Sequence, residues 1–230
     1  MYHKQIRENA IFIADSHYPH HGEDLLKLLI KIEKKEIITD QIFLMGDNFD
    51  LLFGYNNYIQ KFSKKLINKI IEISNIIEIH YFEGNHDFLL SDIFKNINIY
   101  TRAEQPIIFK LQDKTVAISH GDKYLSSLGY NIYSKILRNK YFILSLRPFE
   151  KFIIDYIMEK LDKKNICHNF SNFENRVDEI LEAYNKSDII IEGHFHQGKI
   201  IKNYYSLPSL ACQKKIAIIK NDKIEFILFR

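Results

Sequence analysis

The sequence predicts an α/β fold, built on one mixed sheet or on two stacked sheets with helices outside. Three observations predict it. Short runs rich in Ile and Phe alternate with helical patterns over the first half of the chain. The tail carries consecutive strand-like runs. Each core run ends in a polar cluster, and open α/β sheets bind ligands beyond the carboxyl ends of their strands.

Taken in order, Ala10–Ala14 is the first buried strand. Glu23–Lys35 then places Leu25, Leu28, Leu29 and Ile32 on one helical face. Gln41–Met45 is the second strand, and Tyr58–Ile73 repeats the helical pattern with Ile59, Phe62, Leu66, Ile70 and Ile73. Ile76–Phe82 and Thr115–Ser119 are the third and fourth strands. About residues 126–186 break this pattern as an aromatic-rich helical insertion, divided at Pro148. Asp188–Glu192 resumes the scaffold. Lys199–Tyr205, Lys215–Lys220 and Lys223–Phe229 follow as strands, the last two joined by a hairpin turn at Asn221-Asp222. With no repeat, linker or low-complexity tract, residues 1–230 read as a single domain.

Bulk properties exclude several classes. A formal charge of +3 is too small to argue for nucleic acid, and none is expected as a partner. No run approaches the roughly 20 apolar residues that cross a bilayer. The apolar run near the start breaks at Asp15, too early for a secretion signal. Cys167 and Cys212 are distant and form no C-x-x-C pair, so plain thiols in a reducing cytoplasm are expected.

The polar clusters are Asp15-Ser16-His17, Gly46-Asp47-Asn48-Phe49-Asp50, Gly84-Asn85-His86-Asp87, His120-Gly121-Asp122 and Gly193-His194-Phe195-His196. Carboxylate, imidazole and amide oxygen without thiolate suit divalent manganese, iron, zinc or cobalt, with manganese the first expectation. Alternate residues of an extended segment point the same way, so Asp15 and His17 can grip one ion, as can one of His194 and His196. Asp47 has two carboxylate oxygens and can bridge two ions, and Asn85 adds a ligand oxygen without adding charge. Two ions about 3.5–4 Å apart would clamp a phosphoryl group and acidify a water between them. Asp15 and Asp47 leave such a site net positive, suited to an anionic phosphate.

Any one of these residues could simply cap a strand as a polar turn, but Asp15, Asp47, Asn85, His86, His120, His194 and His196 in register argue for a site. His20 and His21 read as solvated loop histidines. His3, His80 and His168 have no partner pattern and read as structural or surface residues. Asp122 reads equally as a support for the site or as a helix cap.

In this order, D-x-H, G-D-x-x-D, G-N-H-D, a later H and G-H-x-H resemble the calcineurin-like metallophosphoesterases, from Ala10 to about Gly198. The resemblance implies a four-layer α-β-β-α sandwich. It also implies one metal held by Asp15, His17, Asp47 and His196, and a second by Asp47, Asn85, His120 and His194. His86 would face the phosphoryl group, protonating the leaving oxygen or stabilising transition-state charge. Asp50 and Asp87 would orient the ligands and that histidine.

Within this superfamily the chain is most similar to the UDP-2,3-diacylglucosamine hydrolases of lipid A synthesis. The similarity lies in GDNFDLLFG, GNHDFLL, HGD followed by a basic aromatic helical insertion, and GHFHQG. It implies hydrolysis of a pyrophosphate to UMP and 2,3-diacylglucosamine 1-phosphate, with the insertion as a lid over the acyl chains. Lys123–Lys151 carries six basic residues against one acid, interleaved with apolar ones. Such a segment lies on an anionic membrane surface or binds an amphiphilic phosphate ester, unless it simply packs as core. Lys123, Lys135, Arg138, Tyr130 and Tyr133 are its candidate substrate contacts. A monomer in the cytoplasm, touching the inner membrane's cytoplasmic face, is expected. His86 stands where the best-known members have arginine, and KYLSSLGY replaces their acidic, Cys-containing stretch. Both departures leave the ligands intact and bear on the substrate. The alternatives are a phosphoesterase acting on a nucleotide or soluble phosphoester, and a noncatalytic scaffold of the same fold.

Overall fold

A computed structural model describes residues 4–123, 128–167 and 170–229. His3, Leu125, His168 and the expected start of the insertion at Ser126 lie outside the described residues. The elements in chain order are β1 (Lys4–Gln5), β2 (Ile11–Ile13), α1 (Asp24–Glu33), β3 (Gln41–Leu44), β4 (Leu52–Phe53), α2 (Asn57–Phe62), α3 (Lys64–Ser74) and β5 (Glu78–Phe82). Then come β6 (Asp87–Phe88), β7 (Asn98–Tyr100), β8 (Ile107–Leu111), β9 (Lys114–Ser119), α4 (Leu128–Leu137), α5 (Lys140–Ser145) and α6 (Glu150–Asp162). The chain closes with α7 (Phe173–Ala183), β10 (Ile189–Glu192), β11 (Lys199–Ile201), β12 (Tyr204–Ser206), α8 (Leu210–Gln213), β13 (Lys215–Lys220) and β14 (Lys223–Leu228).

Among the described residues the strands form two six-stranded sheets, ordered β1-β8-β9-β10-β12-β11 and β14-β13-β2-β3-β5-β7, and a ribbon of β4 and β6. The central strands are largely apolar because both of their faces are covered. In β2, Ile11 and Ile13 face α1 and α3, while Phe12 points between the sheets. Ile42 and Leu44 against Phe43, and Ile216 and Ile218 against Ala217, divide the same way. Phe43, Phe82, Phe109, Ile118 and Ile191 fill the space between the sheets. The far face of the sheet that holds β9, β10 and β12 is covered by α7, through Phe173, Val177 and Ile180 on Ala117, Ile190 and Tyr204. The result is an α-β-β-α sandwich.

Several expectations change. The helix expected over Tyr58–Ile73 is two, meeting at Ser63, because its apolar residues serve two neighbours. Ile59 packs with Phe53 and Phe88, whereas Leu66, Ile70 and Ile73 pack on the sheet that holds β2, β3 and β5. Lys199–Tyr205 is a hairpin rather than one strand, turning at Lys202 (φ +55°) with Asn203 tied to the Ser187 and Asp188 carbonyls. The hairpin at Asn221-Asp222 is as expected, both residues having positive φ. Pro148 lies in a 3-10 turn between α5 and α6. These helices and α4 pack on α2 and the β4–β6 ribbon, while α7, read from sequence as part of the insertion, belongs to the outer layer of the sandwich.

Cys167 and Cys212 are joined as a disulfide, against the expectation of plain thiols. Their spacing carried no information, because the fold lays the segment after α6 against α8. No helix among the described residues is long and apolar enough to cross a membrane.

Candidate metal centre

Parallel strands end on the same side of a sheet, so the turns after β2, β3, β5, β9 and β10 converge. One ligand-type atom from each of Asp15, His17 and His196 lies within 4.8 Å of the other two. Asp47, His120 and His194 form a second such group. Both groups meet at one cavity of about 240 Å³, lined in part by His17, Asp47, Asn85, His86, His194 and His196. The backbone is strained to do this. Asp15, His17, Asp47, His194 and His196 all have φ between 46° and 63°, a left-handed conformation that costs non-glycine residues about 1–2 kcal/mol each.

The turns also pass unusually close. A methyl group on Gly84 would lie 2.7 Å from the Asp47 amide nitrogen and 3.0 Å from His120 Cε1, and closer still to Asp47 Oδ1. Asp87 locks them together: its Oδ1 accepts from the Asp47 (3.0 Å) and Gly84 (2.9 Å) amides, its Oδ2 from the Asn48 amide and the Tyr81 hydroxyl, both at 2.7 Å.

Hydrogen bonds fix which imidazole nitrogens face inward. A carbonyl only accepts, so His120 Nδ1 donates to Met45 O (2.8 Å) and His196 Nδ1 to Ile166 O (3.1 Å). His120 Nε2 then turns a lone pair toward Asn85 Oδ1 (3.4 Å), Asp47 Oδ2 (3.5 Å) and His194 Nδ1 (3.2 Å). Acceptors converging in this way call for a cation. Among the described residues, Asp15 Oδ1 and His17 Nδ1 are buried without a hydrogen-bond donor, Asp15 Oδ1 facing the His196 Nε2 lone pair at 3.2 Å, a further mark of groups shaped for an ion. The donor set therefore fits two divalent metals of borderline softness.

At two of the histidines protons compete with a cation. Against the effect of burial, Asp47 raises the His120 imidazole well above its usual value, and Asp15 does the same, less strongly, for His196. The other ligands already stand in their metal-binding forms. Burial drives the His17 imidazole down to about 3 and His194 down to about 4, so both are neutral with free lone pairs. Burial alone would raise the Asp47 carboxyl, but the neighbouring His120, His86 and His17 more than offset it and hold it well below the usual carboxylate range. Asp15 is likewise lowered, because His196 outweighs its burial.

His86 lies half-buried at the cavity with its ring 5.1 Å from that of His17. Its Nδ1 donates to the Asp50 carbonyl at 2.6 Å, leaving Nε2 for a ligand. The Asp50 carboxylate takes His20 Nδ1 at 3.1 Å and His21 Nδ1 at 2.6 Å. These two histidines, expected as solvated loop residues, are thus tied to the site, although His20 remains exposed. Asp122 accepts from Arg102 Nε (2.8 Å) and the Tyr130 hydroxyl (3.3 Å).

The expected substrate contacts separate. Tyr130, Tyr133 and Arg138 line a second cavity that begins at Asn85 and His86. Lys135 lines a different one, with Arg102 and Glu83. Lys123 is engaged elsewhere, its ammonium on the Ala103 and Gln105 carbonyls.

Sequence reading missed Arg176. This buried residue of α7 donates to Gly121 O (2.9 Å) and pairs with buried Glu192 (3.5 Å), spanning the turns that carry His120 and His194. Glu192 also accepts from Ser119 and Tyr204. The signal was available: a lone arginine on the face shared by Phe173, Val177 and Ile180.

Comparison with known proteins agrees with this geometry. The model of the calcineurin-like phosphoesterase family matches residues 9–198. A UDP-2,3-diacylglucosamine hydrolase of Porphyromonas gingivalis is 28% identical over 58% of the chain and 54% of its own length. The chain thus spans about half of that relative. Proteins of the same description from Shewanella halifaxensis and Blochmanniella pennsylvanica are 22% and 27% identical, covering 95% and 96% of the chain and 97% and 95% of their own lengths.

Proposed function

The chain belongs to the calcineurin-like phosphoesterase family, and from that premise we propose that it cleaves the pyrophosphate of an acylated nucleotide sugar such as UDP-2,3-diacylglucosamine. Asp15, His17, Asp47 and His196 would hold one divalent ion, and Asp47, Asn85, His120 and His194 the other, manganese being the first candidate. Bound there, the ions supply Lewis-acid polarisation of a phosphoryl oxygen and acidify a water. The chain's own residues do the rest. Asp87 and Arg176 hold the ligand-bearing turns in register. The Asp50 carbonyl holds the His86 ring so that Nε2 meets the leaving oxygen or the charge that develops beside it.

The observation that carries the lipid reading is the second cavity. It measures about 350 Å³, begins at Asn85 and His86, and runs among Phe53, Phe88, Leu137, Phe142, Ile153 and Ile157. An apolar chamber beside an anion-binding site suits a substrate that joins phosphate to acyl chain. Outside it, α4–α6 expose Ile132, Tyr141, Phe149 and Phe152 near Lys135 and Lys151, which supports contact with an anionic membrane surface.

The test fills the chamber. Ile157→Trp should raise KM for the acylated substrate much more than KM for a small chromogenic phosphodiester. An equal change in both would contradict an acyl-binding role for the chamber.

A further inference from the structure

His196 has a support that lies in none of the motifs. Between α6 and α7, Lys164 and Ile166 line the metal-site cavity, and three bonds fix their segment there. The Ile166 carbonyl accepts from His196 Nδ1 at 3.1 Å. The Lys164 carbonyl lies 3.1 Å from His21 Nε2, whose other ring nitrogen contacts Asp50. Cys167, next in the chain, is joined to Cys212 of α8.

The other end of that disulfide matters equally. Ser209, which caps α8, and Ala211 within it grip the backbone of Asp15: Ala211 N donates to Asp15 O at 3.2 Å and Ser209 Oγ at 2.8 Å. A closed circuit therefore runs from His196 through Ile166, Cys167, Cys212 and Ala211 to Asp15, and His196 Nε2 completes it 3.2 Å from Asp15 Oδ1. Because Ile166 keeps the proton on Nδ1, the Nε2 lone pair points into the Asp15 group. The Asp47, His120 and His194 group takes further support through Met45, Asp87 and Arg176, and it meets the circuit where the His194 amide donates to Asp15 Oδ2 at 3.0 Å.

We propose that the Ile166 carbonyl, held in place by the Cys167–Cys212 disulfide, is a positioning group that orients His196 for the ion it shares with Asp15 and His17. The proposal rests on the reading of the site as a two-metal centre. It makes one ion of the two dependent on the disulfide. Opening that bond takes two electrons from a phosphine or dithiol. The S–S bond breaks and each sulfur gains a proton. A phosphine leaves as its oxide, with the oxygen taken from water. Ile166 then keeps its hydrogen bond, its packing and the Lys164–His21 link, but loses the covalent tie to α8.

The experiment is calorimetric titration of the metal-free full chain with manganese(II), the protein being purified without reductant and the disulfide established by nonreducing peptide mapping. Wild type should bind in two steps. The Cys167→Ser/Cys212→Ser variant should weaken one step by about 10–100-fold, the usual cost of losing a group that orients a ligand, and leave the other unchanged. Wild type reduced with a phosphine should behave as the variant does, which guards against a variant that folds poorly, and the phosphine should not alter the variant further. General loosening of the fold would weaken both steps together and would overturn the proposal. So would unchanged binding in the variant and in reduced wild type, or two free thiols in the map. Wild type that binds no manganese would sink the metal-centre reading itself, a distinguishable failure.

Discussion

Gly84→Ala adds one methyl group at the tightest point of the site. The methyl carbon would stand 2.7 Å from the Asp47 amide nitrogen and 3.0 Å from His120 Cε1. Ordinary carbon contacts begin near 3.5 Å, so the Asp47 carboxylate, which lies nearer still, must retreat by about an ångström. It cannot do so freely. Its Oδ1 accepts from the His86 amide at 2.8 Å, and the Asp47 amide is held by Asp87 at 3.0 Å. Overpacking of this kind costs about 1–3 kcal/mol of stability. A displacement near 1 Å in a positioned group costs about 100-fold in rate. Stability would be read by urea unfolding, manganese binding by calorimetry and kcat with a chromogenic phosphodiester. Gly84→Ala should remain folded, bind manganese more weakly and turn over about 100-fold more slowly. A variant with wild-type metal affinity and a rate within about threefold of wild type would refute the placement of Asp47 against Gly84.

Three further predictions test other parts of the account. His86→Ala should lower kcat by about 100- to 10,000-fold while both manganese ions still bind, since general acid or charge-stabilising groups contribute on that scale; an unchanged rate would remove its role. His80, buried between Phe43 and Tyr100, is pushed by burial from 6.5 to about 4. A depressed folded-state value means the unfolded chain binds the extra proton, so this stability is present above about pH 6.5 and lost as pH falls toward 4, by roughly 3 kcal/mol. His80→Gln should therefore lose less stability than wild type between pH 7.5 and 4.5 in urea unfolding, and equal losses would contradict the assignment. Arg176→Met strands the buried Glu192 carboxylate and should cost about 3–5 kcal/mol, whereas Arg176→Met/Glu192→Met should recover much of it; a single variant as stable as wild type would show that the pair does not hold the turns.

The parts of the fold legible in the sequence were those in which local pattern and tertiary burial agree. The β2, β3, β5, β9 and β10 runs are apolar over most of their length because sheet, helix and second sheet enclose them, and such runs announce themselves. The site was legible for a related reason. Its residues directly follow those runs, so finding the strands also located Asp15, Asp47, Asn85, His120 and His194. What escaped were contacts between segments that share no pattern. Nothing in the spacing of Cys167 and Cys212 reports that the segment after α6 crosses α8. His20 and His21 looked solvated because their partner, the Asp50 carboxylate, arrives from a different turn. Lys123 looked like a substrate cation because its charge is local information, while the Ala103 and Gln105 carbonyls that engage it are not. The break at Ser63 was hidden by apolar periodicity that continues through it toward two different neighbours.

The most direct test of the central claim is turnover of UDP-2,3-diacylglucosamine by the purified, manganese-loaded protein, with product masses read beside a chromogenic phosphodiester. The two-ion site with its adjoining apolar chamber predicts release of UMP and 2,3-diacylglucosamine 1-phosphate, faster than hydrolysis of the diester. Hydrolysis of the diester without release of UMP would contradict the lipid substrate while leaving a phosphoesterase centre.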